Sequence, residues 1–326
     1  MEDAPRKISV VIPVYNEEEN VAALAGEIDK ALAVLEISRE IIFVDDGSTD
    51  RSYEILRGLA RTKPGFKVVR LGRNAGQTAA LAAGFELAGG DVIAAMDADG
   101  QNDPNDIPAL LKVLENGYDV VSGWRKERKD LWLTRRLPSQ MANFLISWMT
   151  GIPLHDYGCT LKLYRARFLK PLKLYGEMHR FIPALAGFLG ARIAEVPVHH
   201  RPRTLGRSKY GLSRTFKVML DLLTVKFMDA YMGKPIYLFG GWGLALGGLG
   251  LFLSAVTLYK KFFLHVYVKD QPLFQVSIFF LLAGFILVLM GLIAEILTRI
   301  YFDLKDKSPY FINEMEEFQQ ASSGGS

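Results

Sequence analysis

At 326 residues, half of them hydrophobic, the chain can bury a large core, and its formal net charge of +4 is too small for a general nucleic-acid binder. The single cysteine, Cys159, excludes an internal disulfide framework. Met1 to Lys7 is polar, and Ile8 to Val14 is short and broken by Pro13, so no signal peptide is read and the N-terminal portion is expected in the cytosol.

From Ile8 to about Val198, short β-branched runs alternate with longer helical patterns, which predicts an α/β fold around a parallel sheet. Strands are expected at Ile8–Val14, Ile41–Asp45, Phe66–Leu71, Val92–Met96 and Val120–Gly123. Helices are expected at Glu18–Leu35, Ser52–Thr62, Gly76–Ala88 and Asp106–Asn116. Polar residues follow the first two strands, Tyr15-Asn16-Glu17 and Asp45-Asp46-Gly47-Ser48-Thr49-Asp50, and so gather at one sheet edge. The fourth strand ends in Asp97-Ala98-Asp99-Gly100-Gln101. Acids at the carboxyl end of a buried strand, where open α/β sheets bind ligands, make Asp97 and Asp99 candidates for holding a hard cation against a phosphorylated substrate. No Gly-x-Gly-x-x-Gly follows the first strand and no Gly-x-x-x-x-Gly-Lys-Ser/Thr loop occurs, so a metal-bridged nucleotide fits better than a glycine-cradled one.

Past the fifth strand come Trp124-Arg125 and a basic stretch with Lys126, Arg128, Lys129, Arg135 and Arg136, followed by Ser139. Apolar residues from Met141 to Ile152 recur at three and four residue spacing and predict an amphipathic helix suited to a membrane surface. His199 to Tyr210 is the most basic loop. Adjacent histidines on an extended segment point apart, so phosphate contact is the better reading there than zinc. A second apolar stripe runs through Phe216, Met219, Leu220, Leu223 and Phe227. Pro235–Tyr259 and Leu273–Ala294 then contain no charged residue, and each is long enough to cross a bilayer as a helix. Glycines crowd the first of them, which suits close helix packing in lipid and leaves room for self-association. Lysines and arginines flanking the outer ends favour cytoplasmic termini.

Taken in this order and on these strand ends, Pro13-Val14-Tyr15-Asn16-Glu17, Val44-Asp45-Asp46-Gly47-Ser48-Thr49-Asp50 and Asp97-Ala98-Asp99-Gly100-Gln101 resemble the inverting family 2 glycosyltransferases. The resemblance implies a GT-A fold, a Rossmann-like mixed and mainly parallel sheet with helices on both faces. It also places Pro13, Tyr15, Glu17 and Asp46 around the nucleoside of a sugar nucleotide. Asp99 and Gln101, with Asp97 close by, would then hold Mg²⁺ or Mn²⁺. Arg203-x-x-Gly206-x-Ser208-Lys209 resembles the loop that closes over the diphosphate in the polyprenyl-phosphate branch, which includes dolichol-phosphate mannose synthases and bacterial two-span glucosyltransferases. This branch places Arg125, Arg135 and Ser139 at the acceptor phosphate and Asp156 near the active centre. Tyr157-Gly158-Cys159 departs from the Ser-Gly pair that relatives often carry.

The implied organisation is a cytosolic catalytic domain over 1–211, amphipathic juxtamembrane helices over 212–234, two membrane helices over 235–302 and a cytosolic tail over 303–326. The implied partners are a sugar nucleotide, with UDP-glucose favoured, polyprenyl phosphate and the bilayer, which in a bacterium would be the inner membrane. GDP-mannose and aminoarabinose donors stand as alternatives. A processive polysaccharide synthase and a non-catalytic membrane scaffold stand as readings of another class. A phosphate monoester is already largely dianionic at neutral pH, so the acceptor needs no general base.

Overall fold

The computed structural model describes residues 5–126, 137–174, 176–201, 222, 235–303 and 312–317. Residues Met1–Val225 and Ser308–Ser326 form one unit and Lys226–Lys307 a second. The expected juxtamembrane stripe at 212–234 lies outside the described residues apart from Leu222.

Among the described residues the first unit has eight strands: β1 (Lys7–Val14), β2 (Ser38–Asp45), β3 (Phe66–Leu71), β4 (Val92–Ala95), β5 (Val120–Trp124), β6 (Lys162–Arg165), β7 (Ile193–Pro197) and β8 (Ile312–Glu317). They join in one sheet in the order β7-β5-β6-β4-β1-β2-β3-β8. The central strands β4, β1, β2 and β3 pair in parallel. β6 runs antiparallel between β4 and β5, so those two strands still point the same way. The carboxyl ends of β1, β2, β4 and β5 therefore open on one edge, which β6 enters from its amino end at Lys162.

Four helices connect the first five strands: α1 (Val21–Ala33), α2 (Ser52–Thr62), α3 (Gln77–Leu87) and α4 (Ile107–Glu115). Their buried faces follow helical spacing. Val21, Leu24, Ala25, Ile28, Ala31 and Leu32 face inward from α1, and Tyr53, Leu56 and Ala60 from α2. Helix α3 approaches the sheet closely at Gly84, where a Cβ would fall 2.2 Å from Val11 Cγ1 and 3.1 Å from Val44 Cγ2. Further along come α5 (Leu137–Thr150), the short α6 (Ala166–Leu169) and α7 (Ile182–Phe188).

Three strands escape the sequence reading. β6 and β7 are short and carry charges at Lys162, Arg165 and Glu195, which break any apolar alternation. β8 arises in the segment expected as a tail over 303–326. It pairs antiparallel with β3, from Lys67 opposite Glu317 to Leu71 opposite Ile312, and covers what would be an open edge.

The second unit is a helical pair, α8 (Pro235–Phe263) and α9 (Pro272–Asp303), joined by a turn at Val268–Asp270. Both are long and apolar enough to cross a membrane. The glycines do not all serve the same face. A Cβ on Gly243 would lie 2.7 Å from the Gly284 carbonyl oxygen, and one on Gly250 2.8 Å from Leu281, so backbone meets backbone there. Gly241 and Gly248 have nothing within 4 Å.

A branched side chain at Gly84 must displace Val11 and Val44 in the sheet core. Gly84→Val is expected to destabilise the first unit by about 1–3 kcal/mol, read as a lower denaturation midpoint at unchanged m-value.

Candidate active site at the carboxyl edge of the sheet

The edge is stitched together by side chains that hold backbone amides. Asn16, in the left-handed region at φ 54°, accepts from the Thr49 amide at 2.8 Å, while its own amide donates to Ser48 Oγ at 3.0 Å. The Glu17 amide donates to Ser52 Oγ at 2.9 Å, and the Glu18 amide to Asp50 at 3.1 Å. The loops after β1 and β2 thus form one surface, which carries Pro13 in β1 and half-buried Tyr15 and Glu17 beyond it. The Glu17 carboxylate accepts from Asn20 Nδ2 at 2.7 Å.

Asp46 takes a different part from a simple ligand contact. It is buried, and its two oxygens accept from the Ala75 amide at 2.7 Å and the Gly76 amide at 2.9 Å, which fastens the loop after β3 to the loop after β2. Burial raises the carboxyl pKa of both Asp46 and its neighbour Asp45. Gly47 sits at this seam with φ +70°, and a Cβ there would come within 2.7 Å of the Asn74 amide nitrogen.

Asp97 and Asp99 follow β4 and are half-buried. Asp97 Oδ1 accepts from Gln77 Nε2 at 2.7 Å, and Asp99 Oδ1 from the Gln101 amide at 3.1 Å. Desolvation first, and then the charge of Asp99, push the Asp97 carboxyl up to about 7; Thr160, Arg125 and Lys162 pull the other way. A carboxyl so reluctant to ionise as Asp97 calls for a positive counter-charge. Among the described residues no group of three or more His, Cys, Asp or Glu could enclose a metal. The donor set therefore fits a hard divalent cation held by one or two carboxylates with its remaining oxygens from phosphate and water, and does not fit a closed protein cage.

Beside the acids lies a charged cluster. Arg125, just past β5, donates to Asp156 through Nε at 2.7 Å and Nη2 at 2.9 Å, a bidentate and largely buried pair. The Asp156 carboxylate raises the guanidinium pKa further, against the opposing effect of burial. Lys162 is buried and donates to the carbonyls of Tyr157 and Cys159, and burial lowers its pKa. Asn102 reaches Thr160 Oγ1 at 2.7 Å, which ties the Asp99 loop to the Asp156 loop. Arg125, Asp156, Asp97 and Asp99 are thus brought together. Arg135, Arg203 and Lys209 lie outside the described residues, as does the side chain of Ser139, whose backbone is in α5.

The segment leading to the basic loop is fixed at this same edge. The Arg201 amide donates to the Gln101 carbonyl at 2.8 Å, and its guanidinium reaches Glu27 at 2.7 Å and Asp103 at 2.8 Å. His199 joins Asp106 through its amide at 2.7 Å and Nδ1 at 2.8 Å. Sequence reasoning missed Lys162, Glu195, Thr160 and Asn102; the one available signal was a charge inside each of two short apolar runs. On α5 the expected amphipathic helix is present, with Met141, Phe144 and Trp148 exposed at 66%, 73% and 74% on one stripe, too open for core residues.

The glycosyl transferase family 2 model matches residues 9–186. Over 315 residues the chain is 44% identical to a dodecaprenyl-phosphate galacturonate synthase of Rhizobium johnstonii, covering 94% of this chain and 91% of that protein. It is 37% identical over 316 residues to an undecaprenyl-phosphate 4-deoxy-4-formamido-L-arabinose transferase of Edwardsiella ictaluri, covering 96% and 95%. Among solved structures, glucosyl-3-phosphoglycerate synthase from Mycobacterium tuberculosis with UDP superposes at TM-score 0.52 and 20% identity, over 68% of this chain and 80% of that one. The same enzyme with Mn²⁺ and UDP-glucose gives 0.51 at 19% identity, over 69% and 79%. At this identity the likeness establishes the fold alone, a GT-A-like, mainly parallel mixed sheet.

Gly47→Ala would drive a methyl into the Arg73–Asn74 backbone at a positive φ. It is expected to cost about 1–3 kcal/mol and to weaken amide protection at Ala75 and Gly76, measured by hydrogen exchange.

Proposed function

Because the chain belongs to glycosyl transferase family 2, in its polyprenyl-phosphate branch, we propose that it is a membrane-bound, inverting, metal-dependent glycosyltransferase. It moves one sugar from a nucleoside diphosphate donor to polyprenyl phosphate. The observation that carries this is identity spread along nearly the whole length of relatives named for that acceptor, including the two bilayer-length helices. The family resemblance by itself favours glucose. The relatives are named for galacturonate and formamido-arabinose, which moves the favoured donor to a nucleotide-linked galacturonate, with the aminoarabinose type next.

In this reading Asp97, Asp99 and Gln101 would hold Mg²⁺ or Mn²⁺, which would supply charge stabilisation to the departing nucleoside diphosphate. Pro13, Tyr15 and Glu17 line the nucleoside side, and Asp46 keeps the wall of that pocket in place through Ala75 and Gly76. Arg203 and Lys209 neutralise the leaving group. Arg125, with Arg135 and Ser139, orients the lipid phosphate, whose dianion attacks the anomeric carbon in line and inverts it. Asp156 aims Arg125. The exposed stripe of α5 rests on the lipid surface, and the catalytic domain and both termini are cytoplasmic, at the inner membrane of a bacterium.

Purified protein given radiolabelled nucleotide sugars and polyprenyl phosphate should put label into a lipid bearing one sugar of inverted configuration. Polymer would mark a processive synthase, and no transfer a scaffold. Asp99→Ala is expected to lower turnover by about 100-fold or more at saturating metal.

Proton and cation compete for Asp97. Below pH 7 the raised carboxyl is protonated, so apparent Mn²⁺ affinity should rise with pH up to about 7 and level off above it. A metal titration of activity at several pH values reads this. The metal-free protein should also lose stability as pH rises from the ordinary carboxyl range to about 7, because the folded state binds the proton that the unfolded state has released.

A further inference from the structure

The loop from His155 to Thr160 has no regular structure, yet its first two residues are held by one side chain. Glu195, in the middle of β7, accepts from the Asp156 amide at 2.9 Å through one oxygen. Its other oxygen accepts from the His155 amide at 3.0 Å and lies 2.7 Å from His155 Nδ1. His155 also stacks on Trp124 at 4.5 Å between ring centroids. The parallel register explains the meeting: Glu195 pairs with Ser122 and Pro197 with Trp124, so the acid lies alongside the strand that Arg125 follows.

The grip continues from the loop to the site. Asp156, oriented through its own amide by Glu195, holds the Arg125 guanidinium on two bonds and takes the Gly158 amide at 3.1 Å. Strand propensity does not ask for an acid at this position, where its side chain is nearly buried. What that carboxylate does is accept the amides of His155 and Asp156 and lie against His155 Nδ1, which fixes the residue that aims Arg125. A glutamine could serve only one side, since its amide NH₂ would face an N–H on the other.

We propose that Glu195 is a positioning residue for the acceptor phosphate, acting through Asp156 on Arg125. Arg125 receives the lipid phosphate in the orientation that the Glu195-held loop gives it. This rests on the reading of function above, and its test separates the two.

The full-length protein is assayed with the nucleotide sugar and polyprenyl phosphate varied in turn, for wild type, Glu195→Ala, Glu195→Gln, Arg125→Ala and Glu195→Ala/Arg125→Ala. Both Glu195 variants should raise the KM for polyprenyl phosphate roughly tenfold or more, with the donor KM within about twofold. In the Arg125→Ala background the added Glu195→Ala should cost less than about threefold, because the two residues act as one unit. Wild-type behaviour of Glu195→Ala overturns the inference, as does an equal loss toward both substrates with a lower Tm, or an effect that multiplies with Arg125→Ala. If the wild type transfers to no polyprenyl phosphate, the functional reading fails, and amide exchange still decides the positioning: faster exchange at His155 and Asp156 in Glu195→Ala supports it, and unchanged exchange overturns it.

Discussion

The constraint on which the site depends is the crowding of negative charge at the carboxyl ends of the central strands. Asp45, Asp46, Asp97 and Asp99 all lie where β2 and β4 stop, and the first two are buried. Burial makes each ionised acid costly, and a neighbour of the same sign makes it costlier. The fold answers in two ways. Where an acid serves the fold, backbone amides take it up, as Ala75 and Gly76 do for Asp46. Where that compensation is thinner, at Asp97, the carboxyl stays poised near neutrality. The distinction separates acids whose charge the backbone takes up from one whose charge it does not.

Arg125 and Lys162 extend the same logic. A buried cation beside the acids lowers their charging cost, but it must itself be held. Arg125 is held by Asp156, and Lys162 by two carbonyls of the Asp156 loop. The antiparallel insertion of β6 makes this possible. A parallel strand there would have delivered Lys162 to the opposite edge, away from Asp97.

Much of this was legible in the residues. Five parallel-type strands and four helices stand close to their expected places, because each combines an apolar run of the right length with polar turn residues at its end. The acids after β1, β2 and β4 could be read because they are adjacent in sequence to the strands that position them. Glu195, Lys162 and Thr160 could not. Their importance comes from contacts with other loops and strands, and no periodicity announces such residues in or beside a four- or five-residue strand. The glycine-rich first span was read as a packing face, but periodicity could not tell Gly243 and Gly250, which meet the second helix, from Gly241 and Gly248, which do not.

The pairing of β8 with β3 has a temporal consequence. The strand that closes the sheet is made after both long helices, so β3 waits through synthesis of most of the chain before its last neighbour exists. At ordinary elongation rates that interval is on the order of tens of seconds. Throughout it, a strand of sequence Phe66-Lys67-Val68-Val69-Arg70-Leu71 presents unpaired amides and carbonyls to whatever is nearby. Lys67 and Arg70 within that strand give the nascent edge a charge that discourages association with its own kind until Ile312–Glu317 emerges to complete it.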